Sequence, residues 1–324
     1  MITLFVEEKR HCFEPDGLLT SPWISSRPTN TAELVRLSSK NRSFDAHIDK
    51  STVILDAESR RGGTVVTTSR TTRLHPRDAI AFLSMPLNIV VENEANDGAF
   101  LLWMARALGL ASFIDAYRAG WISFRHAGGK GLIPSAARIM SHGVWARRDE
   151  KYSRALKCWT LAVLDSDSSY PGDNPNASLV LEAAEYCLSV HQLRSRSIES
   201  YIPIDVIRSS LSSAADLDRV KALDRLTEVQ KRHYHMKSGF KIGSESPASK
   251  ANFLASPHHP AQQRALYSSL PDADWTKLAN GFGKGLSSVY TDEARRPDPS
   301  KKVVSNPEHA AEIRTLLNHI YGCF

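Results

Sequence analysis

The stretch Leu161-Ala162-Val163-Leu164-Asp165-Ser166-Asp167 is an apolar run that ends abruptly in two carboxylates with one residue between them. A short apolar run bounded by polar residues is typical of a strand buried on both faces. Alternate residues of an extended chain point to the same side. The pattern therefore predicts that Asp165 and Asp167 lie side by side at the carboxyl end of a strand, where α/β sheets bind their ligands.

Two neighbouring carboxylates repel each other, so the pKa of one is raised unless a cation neutralises the pair. A hard divalent cation with oxygen ligands, Mg²⁺ or Mn²⁺, fits this chemistry. The alternative interpretation is an Asx-type turn after the strand, leading into the loop Ser168 to Asn174. The Asp-x-Asp pattern alone leaves both interpretations open.

A second strand with an acid at its end lies upstream. Asn88-Ile89-Val90-Val91 is followed by Glu92, and Asp97 stands at the start of a helical pattern, Gly98 to Leu108, that Gly109 closes. The carboxyl ends of neighbouring parallel strands meet at one edge of a sheet. Three acids are therefore expected to converge at the tips of two strands.

The order of elements is strand with Glu, helix, strand with Gly-Gly, helix, strand with Asp-x-Asp, helix. In this order the sequence resembles the Toprim domain, the metal-dependent fold of topoisomerases, bacterial primases and nucleases of the overcoming-lysogenization-defect type. The resemblance implies an α/β fold, a Toprim-like core with a mostly parallel sheet flanked by helices. It also implies that Glu92, Asp165 and Asp167 are catalytic and hold Mg²⁺ (or Mn²⁺) for phosphodiester chemistry.

Further segments carry the resemblance. Val91-Glu92 with Asp97 resembles the first family motif, although Asn93 replaces the usual Gly and the second acid comes one residue late. His126-Ala127-Gly128-Gly129-Lys130-Gly131 resembles the Gly-Gly-Lys turn of defence-associated members, which implies a catalytic role for Lys130. Ile198 to Pro203 is similar to their Glu-x-Tyr segment and implies that Glu199, like Asp97, is a further metal ligand.

The substrate-binding candidates surround these acids. A Gly-Gly pair lets the backbone approach a ligand, and a cation beside it neutralises a phosphate. Arg196 is expected either to pair with Glu199 or to orient a phosphate, and the basic, aromatic run Arg232 to Lys241 has the composition of a nucleic-acid grip. His126 is expected to be either a phosphate ligand or a structural residue. The candidates are His126, Gly128, Gly129, Arg196 and Lys237.

Composition narrows the class of protein. The chain has 324 residues, 42% of them hydrophobic, which is enough for roughly two domains. It contains no apolar run long enough to cross a bilayer and no secretory signal, so a cytoplasmic protein without membrane contact is expected. Four cysteines form no Cys-x-x-Cys pair, which argues against a zinc knuckle. The net charge of +6 is compatible with nucleic acid but common elsewhere.

Three regions are predicted. Residues 1–86 form a small α+β module with a hairpin of Thr52–Asp56 and Thr64–Thr68. Residues 87–205 form the Toprim-like catalytic core. Residues 206–324 form a helical C-terminal region, with one helix from Asp216 to Lys231, a mobile loop from Ser244 to Gln262, and a closing helix from Glu308 to Tyr321.

Taken together, these features predict a metal-dependent nuclease that hydrolyses phosphodiester bonds in DNA or RNA, including transfer RNA. The resemblance further implies the toxic effector of a bacterial anti-phage defence system, held or activated by a partner ATPase. The alternative is a catalytically inactive Toprim-fold binding or regulatory subunit in a nucleic-acid-associated complex. Assembly into a homo-oligomer is left open.

Overall fold

The computed structural model of the chain describes residues 19–20, 22–40, 52–55, 65–68, 71–142, 156–241, 249–295, 297 and 306–323. Its strands are β1 (Thr52–Leu55), β2 (Val65–Thr68), β3 (Thr71–Leu74), β4 (Leu87–Val91), β5 (Ile122–His126), β6 (Thr160–Leu164) and β7 (Ser189–Gln192). Its α-helices are α1 (Pro22–Ser25), α2 (Thr29–Lys40), α3 (Pro76–Ser84), α4 (Ala99–Ala107), α5 (Ala111–Arg118), α6 (Ile133–His142), α7 (Ala177–Ala184), α8 (Ile204–Ser210), α9 (Ala214–Asp224), α10 (Glu228–His233), α11 (Lys250–Ala255), α12 (Ala261–Tyr267), α13 (Asp272–Leu278) and α14 (Pro307–Tyr321). Shorter 3₁₀ turns cover Lys130–Leu132, Ile198–Tyr201, Lys284–Tyr290 and Glu293–Arg295.

The central sheet has four parallel strands in the order β5-β4-β6-β7. The chain leaves β4 toward β5 on one side and then returns to β6 on the other. The strand order therefore reverses between β4 and β6, which is where open α/β sheets form a ligand crevice. All five residues of β4 and of β6 are buried, as the apolar runs predicted. The predicted α/β fold with a parallel sheet flanked by helices is confirmed.

Alternate residues of the central strands enter two different cores. On one face, Ile89 and Val91 join a large cluster that includes α4, α5 and α14. On the other face, Val90 packs with Ala162 and Leu164 against α6 and α7. The large cluster continues through residues of the helices after 205 as far as Cys323. The regions on either side of the predicted boundary at 205 therefore share one hydrophobic core.

The N-terminal sheet differs from the predicted hairpin. Strand β3 lies between β1 and β2, parallel to β1 and antiparallel to β2. The hairpin prediction of β1 with β2 is wrong because β3, which the sequence pattern did not predict, pairs with both. The following helix α3 packs Phe82 against Trp159, with ring centroids 4.6 Å apart, so this region contacts the chain just before β6.

Two predictions in the C-terminal region are also wrong. The single helix from Asp216 to Lys231 is broken into α9 and α10, because Thr227 and Gln230 form a capping box that starts a new helix. The predicted mobile loop contains α11 and the first two residues of α12, while residues 242–248 lie outside the described residues. The closing helix is confirmed as α14, which Asn306 caps.

Among the described residues, none of the helices is both long enough and apolar enough to cross a membrane.

Candidate functional site

The candidate site lies where β4 and β6 end. Glu92 directly follows β4, and the Asp165-Ser166-Asp167 turn directly follows β6. The two strands pair in register, Val90 with Ala162, so their carboxyl ends are neighbours at the strand spacing of about 4.8 Å. This arrangement brings the predicted acids from separate segments of the chain to one place.

The electrostatic coupling of the carboxylates shows which acids belong together. The charges of Glu92 and Glu199 both raise the pKa of Asp97. The charges of Asp97, Glu199 and Asp167 in turn raise the pKa of Asp165. We call these five residues, Glu92, Asp97, Asp165, Asp167 and Glu199, the acid cluster.

Asp97 reaches the acid cluster through a π-helical turn, Glu94–Gly98. Such a turn holds one residue more than an α-helical turn. Asn93 caps the turn, because its Oδ1 accepts hydrogen bonds from the amides of Ala95 and Asn96 at 3.0 and 3.2 Å. The Asn93 amide donates to Asp97 Oδ2 at 2.8 Å. Burial nevertheless raises the pKa of Asp97 to about 6.

Burial and neighbouring acids both oppose the charge of Asp165. Burial, followed by the charges of its acidic neighbours, raises its pKa well above the usual range. The amide of Ile198 donates to Asp165 Oδ1 at 3.1 Å. A carboxyl group held in such surroundings is a candidate for chemistry, because it binds either a proton or a cation readily.

Asp167 is held differently. Its backbone is left-handed, with φ 53°, and no other non-glycine residue in the described part of the chain has a positive φ. Lys130 Nζ lies 2.5 Å and Asn176 Nδ2 2.8 Å from its Oδ2. Burial alone would raise the pKa of Asp167, but these hydrogen bonds and the charges of Lys130 and Arg196 lower it below the usual value. Its strained backbone costs on the order of 1 kcal/mol, which is typical of functional turns.

Glu199 is fully buried on the 3₁₀ turn that follows β7. Ser197 Oγ donates to its Oε2 at 2.6 Å. Lys237 Nζ lies 3.1 Å from its Oε1 as an ion pair, but no well-directed hydrogen bond to Oε1 exists within the described part of the chain. Burial lowers the pKa of Lys237, and the charge of Glu199 overcomes this effect and raises it. Lys237 is therefore a positively charged side chain that pairs with the acid cluster through Glu199.

A close crossing of two backbone segments holds Lys237 in place. The amide of Gly283 donates to the Lys237 carbonyl at 2.9 Å, and the amide of Phe282 donates to the Met236 carbonyl at 2.7 Å. Gly239, with φ +65°, lies so close to the second segment that a Cβ there would be 2.3 Å from the Leu278 carbonyl oxygen. Glycine is required because the two backbones leave no room for a side chain.

The predicted nucleic-acid grip from Arg232 to Lys241 is wrong in its aromatic part. Tyr234 is fully buried and its hydroxyl donates to the Leu278 carbonyl at 2.6 Å. Phe240 stacks on Trp275 with ring centroids 3.8 Å apart. These rings form core contacts, so they are not accessible for stacking on bases.

The Gly-Gly-Lys turn follows β5 and brings Lys130 to Asp167. Gly128 and Gly129 adopt φ values of +85° and +128°, which glycine tolerates best. The 3₁₀ turn that begins at Lys130 then leads into α6 and brings the lysine to Asp167. His126 ends β5 with its side chain exposed at the same edge of the sheet.

Arg196 contacts the turn after β6 rather than Glu199. Its guanidinium donates to Ser169 Oγ at 3.0 Å and to the His233 carbonyl at 3.4 Å. Strand β7 ends at Gln192, so Arg196 lies in the loop beyond it. There its charge helps to lower the pKa of Asp167.

No family model, curated protein or solved structure matches this chain. The case for its function therefore depends on the residues and geometry of the acid cluster.

One supporting residue of the site has the sequence position of a helix cap. Asn176 precedes α7 and resembles a helix cap, yet its side chain makes no capping hydrogen bond. Its Nδ2 donates instead to the Asp165 carbonyl at 2.9 Å and to Asp167 Oδ2. An Asn before a helix gives the same sequence signal in both roles, so the spacing did not reveal this one.

The donor set of the acid cluster fits a hard divalent cation, because all of its side-chain donors are carboxylate oxygens. Glu199 Oε1 is buried without a hydrogen bond, and the raised pKa values of Asp97 and Asp165 show negative charge that a cation would relieve. Over the described ranges, however, no three His, Cys, Asp or Glu residues are already arranged as a metal site. Binding would require the acids to draw closer, with Asp167 turning from Lys130 and Glu199 from Lys237.

Proposed function

We propose that this chain is a Mg²⁺- or Mn²⁺-dependent nuclease with a Toprim-like core, which hydrolyses phosphodiester bonds in DNA or RNA. The observation that supports this is the acid cluster itself, whose carboxylates are coupled electrostatically near the point where the strand order reverses. Burying mutually repelling charges destabilises a fold. Perturbed carboxylates in such a crevice are typical of catalytic sites.

Glu92, Asp165 and Asp167 would hold the cation, with Asp97 and Glu199 as further ligands. When bound, it would lower the pKa of an attacking water and offset the charge of the phosphoryl oxygens. The amide of Ile198 and the side chain of Asn176 orient the Asp165-Ser166-Asp167 turn through hydrogen bonds to both acids. Such preorganisation is what catalysis of a charged transition state requires.

The two lysines of the site would contact the substrate. The side chains of Lys130 and Lys237 are each 40% exposed, whereas their partners Asp167 and Glu199 are 32% and 0% exposed. The side chain of Lys237 is therefore nearer to solvent than Glu199, and Lys130 is partly exposed beside Asp167, so an incoming phosphodiester would contact both ammonium groups. Exchange of a carboxylate for a phosphate oxygen at each lysine would free the acids for a cation.

The remaining substrate contacts would come from the rim of the crevice. The exposed His126 and the backbone of Gly128 and Gly129 lie at the end of β5, beside Lys130. Arg196 lies near Asp167 on the other side. Within this proposal the chain acts in the cytoplasm as the effector of an anti-phage system, held or activated by a partner ATPase.

A second candidate function is a catalytically inactive Toprim-fold binding or regulatory subunit. Two observations favour it: the absence, among the described residues, of three acids arranged as a metal site, and the neutralisation of Asp167 and Glu199 by lysines. This candidate predicts nucleic-acid binding without cleavage.

Cleavage assays with a matched pair of variants test the proposal. The full chain is incubated with plasmid, single-stranded DNA, messenger-type RNA and transfer RNA, in Mg²⁺, Mn²⁺ or EDTA. Asp165→Asn removes one charge of the acid cluster. Asp115→Asn removes a charge of an exposed residue on α5 that pairs with Arg118 at 3.6 Å.

We expect cation-dependent cleavage of at least one substrate by the wild type and Asp115→Asn, and a loss of about 100-fold or more in Asp165→Asn. Equal cleavage rates in all three proteins would overturn the assignment of the acids. Binding without cation-dependent cleavage would favour the inactive subunit instead.

A further inference from the structure

Helix α14 carries a buried carboxylate, Glu312, which is fully engaged by donors from the region after β7. Its Oε1 accepts the amide of Arg194 at 2.8 Å, and its Oε2 accepts the hydroxyl of Tyr201 at 2.8 Å. His191 Nε2 lies 3.3 Å from Oε1. Glu312 is 4% exposed, so these contacts are shielded from water.

Glu312 accepts a hydrogen bond from Arg194, which begins a loop that we call the bridging segment, residues 194–199, and one from Tyr201 just beyond it. This segment contacts the acid cluster through its backbone. The amide of Ile198 donates to Asp165 Oδ1 at 3.1 Å, and the carbonyl of Arg196 accepts the amide of Asp167 at 2.9 Å. The segment also contains Glu199 itself.

Ser195 connects these two sets of contacts. Its amide donates to the Tyr201 hydroxyl at 3.2 Å, and that hydroxyl in turn donates to Glu312. Its Oγ lies 3.0 Å from His309 Nε2 on α14, and its carbonyl accepts Ser166 Oγ at 2.9 Å. A continuous chain of hydrogen bonds therefore runs from α14 through Ser195 to the turn after β6.

We propose that α14 positions the acid cluster, with Glu312 acting as a positioning residue through Tyr201 and the bridging segment. The inference rests on the proposed function. A loop between elements is mobile unless its polar groups are tied down, and a displacement of about 1 Å at a catalytic group lowers rates by up to roughly 100-fold. The hydrogen bonds from α14 fix the peptide groups that orient Asp165 and Asp167.

Tyr201→Phe is the sharpest variant for this inference. It keeps the ring, which packs 5.4 Å from that of Phe100, and removes only the hydroxyl between Ser195 and Glu312. The matched control is His319→Ala, which breaks a different contact of α14, that of His319 Nε2 with Ser189 Oγ at 2.9 Å at the start of β7. This contact is not part of the chain of hydrogen bonds to the acids.

We expect Tyr201→Phe to lower kcat about 10-fold, with an unchanged KM for nucleic acid and a higher cation concentration at half-maximal rate. His319→Ala should leave all three quantities unchanged. Hydrogen exchange followed by mass spectrometry gives a readout that needs neither cation nor activity. In Tyr201→Phe, exchange should become faster in peptides covering 165–169 and 194–199, and in His319→Ala it should not.

If the wild type cleaves and the two variants match each other in kcat and in exchange, the positioning role is overturned while the nuclease assignment stands. If the wild type does not cleave, the proposed function falls. Exchange alone then decides whether α14 fixes the bridging segment: equal exchange in the two variants overturns that as well.

Discussion

The surroundings of two carboxylate sites in this chain shift the carboxyl pKa in opposite directions. Burial opposes the charge of Glu312, but hydrogen bonds from His191, the Arg194 amide and Tyr201 outweigh it and lower its pKa. Burial also opposes the charge of Asp165, and there the neighbouring acids add to the effect and raise its pKa. The first carboxylate is surrounded by donors and the second by other carboxylates.

This contrast separates a structural acid from a functional one. A buried charge that only stabilises a fold is normally surrounded by donors, since an unsatisfied one is costly. Mutually repelling acids in a crevice lower stability, so their presence is best explained by a ligand or a reaction. Glu312 belongs to the first kind, and we propose that the acid cluster belongs to the second, although the bridging segment joins them.

The largest effect is expected for Asp165→Asn, which tests whether Asp165 differs from the structural acid Glu312. Asn retains an oxygen for the Ile198 amide but removes the opposed charge. We expect cleavage to fall about 100-fold or more while the free energy of unfolding at pH 7.5 in EDTA rises. Urea unfolding measures the second quantity. A variant that loses both activity and stability would mean that Asp165 is a structural acid like Glu312.

Glu312→Ala should show the reverse pattern, with a dominant effect on stability. The variant leaves the Arg194 amide and the Tyr201 hydroxyl buried without acceptors, and we expect a loss of about 3 kcal/mol in the free energy of unfolding. Glu308→Ala on the same helix is the control, because Glu308 is exposed and its ion pair with Arg232 is worth less than about 1 kcal/mol. Similar losses in both variants, measured by urea unfolding, would contradict the structural role of Glu312.

Lys237→Met tests the contribution of the lysine that pairs with Glu199 in the acid cluster. Without Lys237, Glu199 is a buried charge with only the Ser197 hydroxyl as its hydrogen-bond donor in the part of the chain that the structure describes. Because the lysine side chain is 40% exposed, we discount the effect to about 1 kcal/mol of lost stability in EDTA. Millimolar Mg²⁺ should restore part of this loss, as measured by the midpoint of urea unfolding.

Lys221→Met is the control for Lys237→Met, since Lys221 forms an exposed ion pair with Asp218 at 2.9 Å. It should be nearly neutral, with or without Mg²⁺. If Mg²⁺ stabilised the two variants equally, Lys237 would not compete with a cation for the acid cluster.

The parts of this molecule that could be predicted from sequence are those whose burial leaves a periodic pattern. The runs before Glu92 and Asp165 are apolar because both faces of β4 and β6 are covered, so the strands and their acidic ends were predictable. The π-helical turn was not, although the displaced Asp97 was its signal. A shift of one residue in a motif indicates an insertion and does not show how the backbone absorbs it.

The supports of the site were not predictable, because they depend on contacts distant in sequence. Glu312 meets Tyr201 across 111 positions, and no local pattern encodes that contact. Aromatic residues such as Tyr234 and Phe240, which are buried here, occur both in cores and on base-stacking surfaces, so the composition of their segment does not distinguish the two. The stacking of Phe240 on Trp275 shows that Phe240 belongs to the core, and Trp275 lies outside the segment.

The smallest predicted effect is the pH dependence that Glu312 imposes on stability. Its pKa in the folded chain lies below the usual 4.5, so the unfolded chain binds the proton more readily. Its stabilisation is therefore complete above pH 4.5 and is lost as pH falls through the folded-state pKa. The groups that face it include His191 and His309, and burial lowers the pKa of His309 from 6.5, which also favours unfolding in acid.

Comparison of wild type with Glu312→Gln isolates the contribution of the Glu312 charge, which includes its attraction to His191 and His309 when these are protonated. We expect the difference in their free energies of unfolding, measured in urea in EDTA, to shrink as the pH falls below about 4.5. The acid cluster acts in the opposite direction, since raised pKa values make acid stabilising, but it is common to both proteins and cancels from the difference. A difference that grew toward low pH would mean that Glu312 is protonated in the folded chain and that its contrast with Asp165 does not exist.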